Sequence, residues 1–265
     1  MQKKLIMKMI RRACILLTLC TLLCINASAD SALHWYCKRN TEHQQPVLDS
    51  QLSCIEQHQG IYVDKLHGDN SEDKVIYLTF DAGYENGNIE KILDVLKQEN
   101  VKAAFFILGN LISRNPELVQ RMADDGHLVC NHTYTHKNIT KLNEQELAEE
   151  LQRLEQAYFE LTQKTLDKYF RPPEGTFDQK SLQTVCAQGY KTVFWSFAYE
   201  DWDNQKQMST QAAMKKIFDN LHNGEIMLLH PTSATNAQIM GDMIRQLKAL
   251  GYSFGTLDQL IFDSQ

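Results

Sequence analysis

From residue 75 onward, short apolar runs rich in β-formers alternate with stretches whose apolar residues recur at helical spacing. Repeated strand–helix units imply a parallel sheet with right-handed crossovers. The first unit is the best marked. Residues 75–80 (VIYLTF) read as a strand buried on both faces, which stops at Asp81; Gly83 and Gly87 then free the backbone to turn. Residues 89–99 follow as a helix with Ile92, Leu93 and Leu96 on one face. Further strands are predicted over 101–108, 127–131, 168–171, 191–197 and 225–229. Between them, Asn115 and Pro116 open a helix that closes at Gly126. Asn143 with Glu146 forms a capping box for a long helix striped by Leu147, Leu151, Leu154, Tyr158 and Leu161, and Asp178 caps another. Helices over 209–222 and 236–250, then a final strand and a short helix, complete the pattern. No G-x-G-x-x-G follows a strand, so a dinucleotide fold loses ground. The fold class expected is α/β: an irregular (β/α) barrel of seven or eight strands with a short N-terminal extension.

Residues 1–29 are of another kind. Lys3, Lys4, Lys8, Arg11 and Arg12 precede an apolar stretch over 13–25 that is short for a bilayer span, and Ala27-Ser28-Ala29 supplies a small-x-small cleavage pattern. This reads as a signal peptide, with an uncleaved anchor as the alternative, and either implies export. Residues 30–72 form a polar extension with Trp35 and Tyr62 as anchors; the domain proper spans 73–265. The formal charge is −6, and the leader holds five basic and no acidic residues, so its removal leaves −11. Such a charge argues against nucleic acid or anionic lipid as partner. Of the cysteines beyond the leader, Cys37 and Cys54 are candidates for a bridge in an oxidising compartment, whereas Cys130 and Cys186 read as buried thiols.

The strand ends carry the chemistry. They bring up Asp81, then His132 and His136, then Arg171, Asp201 and His230. In a parallel barrel those ends converge on one mouth. Each has a plainer explanation taken alone: a helix N-cap for Asp81, chance spacing for the H-x-x-x-H, a surface ion pair for Arg171, a core imidazole for His230. Together they are poorly explained that way. On a helical turn, His132 and His136 would share a face and grip one divalent ion, with Asp81 or Glu85 as a third ligand. Arg171, stiffened by Pro172 and Pro173, would hold a carboxylate ionised. A buried Asp beside His230 would keep that imidazole protonated as an acid.

TFDAG (79–83), HTYTH (132–136), RPPEG (171–175), EDW (200–202) and LLH (228–230) resemble, in order, the five motifs of the polysaccharide deacetylase (NodB-homology) family. The resemblance spans roughly 74–262 and implies metal-assisted removal of N-acetyl groups from amino sugars. By it, Asp81 is the general base, His132 and His136 are metal ligands, Arg171 orients the base, Asp201 tunes His230, and His230 protonates the leaving amine. Zinc is the usual occupant of such a His-rich site. One departure stands out: the family's second aspartate is Ala82 here, so the metal site is weakened or altered. With IYLTFDxGYENG, this resembles the branch that makes muramic δ-lactam in spore cortex. That branch implies N-acetylmuramic acid in a peptidoglycan strand as substrate, stripped of its stem peptide by an amidase, with no stable protein partner. A deacetylase of N-acetylglucosamine chains and a sugar-binding pseudoenzyme are the alternatives.

Overall fold

The computed structural model describes residues 31–38 and 42–260; the expected leader lies outside them. The elements, in chain order, are β1 (Leu33–His34), α1 (Cys54–Gln57), β2 (Lys74–Ala82), α2 (Ile89–Gln98), β3 (Ala104–Ile107), α3 (Gly109–Arg114), α4 (Pro116–Asp124), β4 (Leu128–Asn131), α5 (Glu144–Thr162), β5 (Asp167–Phe170), β6 (Thr176–Phe177), α6 (Gln179–Ala187), β7 (Lys191–Thr192), α7 (Thr210–Asp219), β8 (Glu225–Leu229), α8 (Ala234–Ala249) and β9 (Tyr252–Gly255). Seven parallel strands run in the order β7-β5-β4-β3-β2-β8, with β9 also beside β2. On one flank β2 pairs with β8 (Ile76↔Glu225 to Phe80↔Leu229). On the other it pairs with β9 through its first half and with β3 through its second. The sheet curls until the chain after β7 reaches β8, where Phe197 bridges Met227 in parallel. The result is the irregular (β/α) barrel.

Alternation along β2 divides the core. Ile76, Leu78, Phe80 and Ala82 face the helical layer, packing with residues of α2, α4, α7 and α8. Val75 and Tyr77 belong to the barrel interior with Phe106, Cys130 and Ile226. Period-two alternation puts Asp81 on that inner side, at the end where the strand opens onto the mouth. A third cluster joins Trp35 and Tyr62 to Phe177, Phe194 and Leu182. Trp35 is buried there, with ring centroids 5.2 Å from Tyr62 and 4.9 Å from Phe194.

The caps at Asn143/Glu146 and Asp178 form as predicted; the second is closed by Ser181. Four local expectations are corrected. The strand expected over 191–197 ends at Thr192. Its later carbonyls are taken by side chains: Val193 and Phe194 by Arg171, Trp195 by the Trp35 indole N–H, Ser196 by the Cys37 thiol. A carbonyl so occupied is lost to a regular ladder. A short helix, α3, follows β3 where none was expected, and Asn115 contributes no side-chain cap to the helix after it. Cys186 is half-buried, unlike the buried Cys130.

Candidate active site

The mouth of the barrel holds a cavity of about 610 Å³ lined in part by Asp81, His132, His136, His230 and the rim residues Tyr84 and Trp202. Arg171, at the end of β5, is wholly buried beneath it. Its Nη1 donates to Asp81 Oδ1 at 2.8 Å, Nη2 to Thr79 Oγ1 at 3.0 Å and to the Phe194 carbonyl at 3.2 Å, and Nε to the Val193 carbonyl at 3.0 Å. Phe106 lies under the guanidinium, 4.2 Å from its ring centroid. Four of the five N–H groups are thus engaged, three of them on Thr79 and the backbone, so Asp81 is held from one side, and its Oδ2 lies 3.6 Å from His132 Nε2. Burial pushes the Asp81 carboxyl up, but the charges of Arg171, His132 and His230 outweigh it and the net shift is downward.

His132 and His136 do not lie on a helical turn. The chain leaves β4 into a loop in which Thr133 and His136 adopt left-handed backbone (φ 69° and 59°), and the two rings come to 5.0 Å between centroids. His132 Nδ1 donates to the Arg171 carbonyl at 2.8 Å. Burial, the largest influence, drives this imidazole down to about 4, so it is neutral near pH 7 and Nε2 carries a lone pair. That atom sits 3.6 Å from Asp81 Oδ2. Two lone-pair atoms facing each other with no hydrogen between them are relieved by a shared cation or a water proton. The donor set therefore fits a cation, but thinly. Ala82 packs into the apolar core on the opposite face of β2, Glu85 is turned back to the backbone N–H groups of Gly87 and Ile89, and no cluster of three or more His, Cys, Asp or Glu suited to a metal exists among the described residues.

Across the mouth, His230 Nδ1 donates to Asp201 Oδ1 at 2.7 Å, and the His230 backbone N–H donates to Oδ2 at 2.7 Å. Asn236 Nδ2, from the first turn of α8, also donates to Oδ2 at 2.6 Å, and the Tyr199 hydroxyl donates to the Asn236 amide oxygen. Burial opposes protonation of His230, but the hydrogen bond and charge of Asp201 outweigh it and raise its pKa. With Nδ1 engaged, Nε2 is left for the cavity. Trp202 stands edge-on to the imidazole, 6.0 Å between centroids.

All six strand-end residues singled out in the sequence thus surround or underlie one cavity. Three others went unnoticed there. Thr79, inside TFDAG, and Asn236 were given no role there, because their partners are 92 and 35 residues away. Glu174, within RPPEG, lines the cavity from left-handed backbone (φ 57°). The following Gly175 is also left-handed (φ 63°), and a Cβ there would stand 2.8 Å from the Trp195 ring. That crowding is why the loop needs glycine.

Residues 68–193 match the family model described as polysaccharide deacetylase. The chain is 37% identical over 240 residues to the peptidoglycan-N-acetylmuramic acid deacetylase PdaA of Bacillus subtilis, covering 90% of this chain and 89% of that protein. The chain belongs to the polysaccharide deacetylase family. It is accordingly a hydrolase of amide bonds. The solved structure of Bacillus subtilis PdaA, a family 4 carbohydrate esterase, superposes with a TM-score of 0.82 at 38% identity, covering 88% of this chain and 98% of that one. A peptidoglycan-N-acetylglucosamine deacetylase of Bacillus cereus is 34% identical over 194 residues, covering 72% of this chain and 69% of that protein.

Proposed function

We propose that this protein removes the acetyl group from N-acetylmuramic acid in peptidoglycan, acting on strands from which an amidase has taken the stem peptide, so that the freed amine closes onto the lactyl carboxyl as a muramic δ-lactam of spore cortex. The observation that carries the hydrolytic part is the pairing, across one cavity, of the Asp81 carboxylate held by Arg171 with the His230 imidazole held by Asp201. The muramic preference rests on the near full-length likeness to PdaA. Export to the cell envelope rests on the basic, apolar leader with its cleavage pattern.

In this reading Asp81, held by Arg171, takes a proton from a water through Oδ2 as the water oxygen attacks the acetamide carbon. Thr79 and the backbone carbonyls behind Arg171 keep the guanidinium from following the carboxylate. His230, oriented by Asp201 and through it by Asn236, gives its Nε2 proton to the sugar nitrogen as the C–N bond breaks and acetate leaves. A divalent cation on His132 and His136, with water filling the remaining positions, would supply Lewis acidity at the acetamide carbonyl.

Mass spectrometry of muropeptides tests the reading. Purified protein is incubated with intact and with amidase-treated peptidoglycan. Loss of acetyl, then of water, on muramic acid after amidase treatment is the expected result. Deacetylated glucosamine without amidase would move the function to the N-acetylglucosamine branch, and no acetate from either sample would overturn it.

A further inference from the structure

The residues deep in the cavity are spoken for by internal hydrogen bonds; those on its rim are not. Tyr84 is the plainest case. It lines the cavity and is 65% exposed. The loop that carries it is tied down at several points. Asn110 Nδ2 donates to the Gly83 carbonyl at 3.0 Å, and Asn86 and Asn88 both donate to the Thr232 carbonyl, at 2.8 and 3.1 Å. Glu85 accepts from the Gly87 and Ile89 backbone N–H groups. Tyr84 is therefore presented to solvent by a loop held in place, three residues beyond Asp81 on the same strand end. On the other partner of the acid–base pair, Trp202 is 57% exposed, one residue beyond Asp201 and against the His230 ring. One bare ring goes with the base and one with the acid.

The C–H faces of a pyranose are apolar and the ring edge is polar, so a sugar stacks on an aromatic face while its hydroxyls stay in water. A glycan strand passing over the cavity places one ring at Asp81 and His230, and its neighbours over the rim.

We propose that Tyr84 is a specificity-determining residue that stacks on the sugar adjacent to the one losing its acetyl group. The proposal rests on the deacetylase reading above and adds the residue that reads the neighbouring sugar. It assigns Tyr84 a binding role and no part in proton transfer.

The test compares wild type with Tyr84→Ala, Tyr84→Phe and Tyr84→Trp on peptidoglycan glycan oligomers of rising length and on a small aryl acetate. The readout is kcat/KM on a hexasaccharide divided by kcat/KM on the aryl acetate. Tyr84→Ala lowers that ratio about tenfold, the size of losing one buried aromatic contact, chiefly through KM. Tyr84→Phe and Tyr84→Trp keep the ratio within a factor of about three. A ratio unchanged in Tyr84→Ala overturns the proposal; general damage to the fold would lower both activities and leave the ratio where it was. Calorimetry with Asp81→Asn protein separates this proposal from the functional reading. If no oligomer yields acetate but binding tightens with chain length and weakens about tenfold in the Tyr84→Ala background, the deacetylase reading falls and the stacking role stands. Binding indifferent to both chain length and Tyr84 overturns the stacking role alone.

Discussion

The guanidinium of Arg171 is wholly buried and meets Asp81 at 2.8 Å, with three further N–H groups spent on Thr79 and on the carbonyls of Val193 and Phe194. A buried pair broken on one side leaves an uncompensated charge, at a cost of about 3–5 kcal/mol. Arg171→Met should therefore lose stability of that order by urea unfolding. Arg171→Lys keeps the charge but not the fork. Its acid limb of activity should move upward only slightly, because the positive charge, the larger of the two Arg171 influences on Asp81, stays and only the forked hydrogen bond is lost.

The same logic sets the pH profile. Asp81 must be ionised and its pKa lies below the usual 3.8; His230 must be protonated and its pKa lies above 6.5. Activity should fall below the ordinary aspartate range and again as pH rises past the ordinary histidine value. Asp201→Asn removes the charge that raises His230, so its alkaline limb should shift down. An unmoved limb in initial-rate profiles would contradict the assignment of His230 as the acid.

Acid should destabilise the fold early. Burial pushes both His132 and His127 down to about 4. For a depressed histidine, the folded state binds fewer protons than the unfolded chain between the two pKa values. Stability is therefore full above about 6.5 and lost as pH falls toward about 4, on the order of 3 kcal/mol for each group. His127 Nδ1 accepts from the Ala103 N–H, a bond an amide oxygen can replace. His127→Gln should flatten the slope of urea stability against pH by about one proton.

Ala82 offers a test of the thin metal site. It lies among apolar side chains, so Ala82→Asp should lower Tm in metal-free buffer, a buried carboxylate being costly without a partner. Added zinc should not restore Tm, and calorimetric zinc affinity should stay at the wild-type value, because the alternation of β2 turns residue 82 to the helical layer, away from His132 and His136. A Tm that recovers with zinc would mean the end of β2 rearranges to bring the new carboxylate to the mouth.

Glu174 places a negative charge on the rim, and the proposed substrate carries a free lactyl carboxylate. Two unit charges about 4 Å apart in water interact by about 1 kcal/mol. Glu174→Gln should raise kcat/KM on amidase-treated strands by up to about fivefold at low salt. The gain should vanish at about 1 M salt, where the screening length is about 3 Å.

Strand–helix alternation, two of the helix caps and all six strand-end residues were legible in the sequence, because periodicity, capping and motif order are local properties of the chain. Tertiary structure decided the rest. Residues 193–197 look like a strand in isolation, yet the carbonyls of Val193 and Phe194 go to Arg171, over twenty residues away. The spacing of His132 and His136 suggested a helix, but two left-handed residues in a loop bring the rings together instead. Sequence shows that Ala82 cannot ligate; the alternation of β2 within the barrel turns it to the helical layer while Asp81 faces the mouth. Hydrogen-bond partners such as Thr79 for Arg171 and Asn236 for Asp201 exist only once the barrel has closed, since nothing in a local pattern encodes a contact made across it.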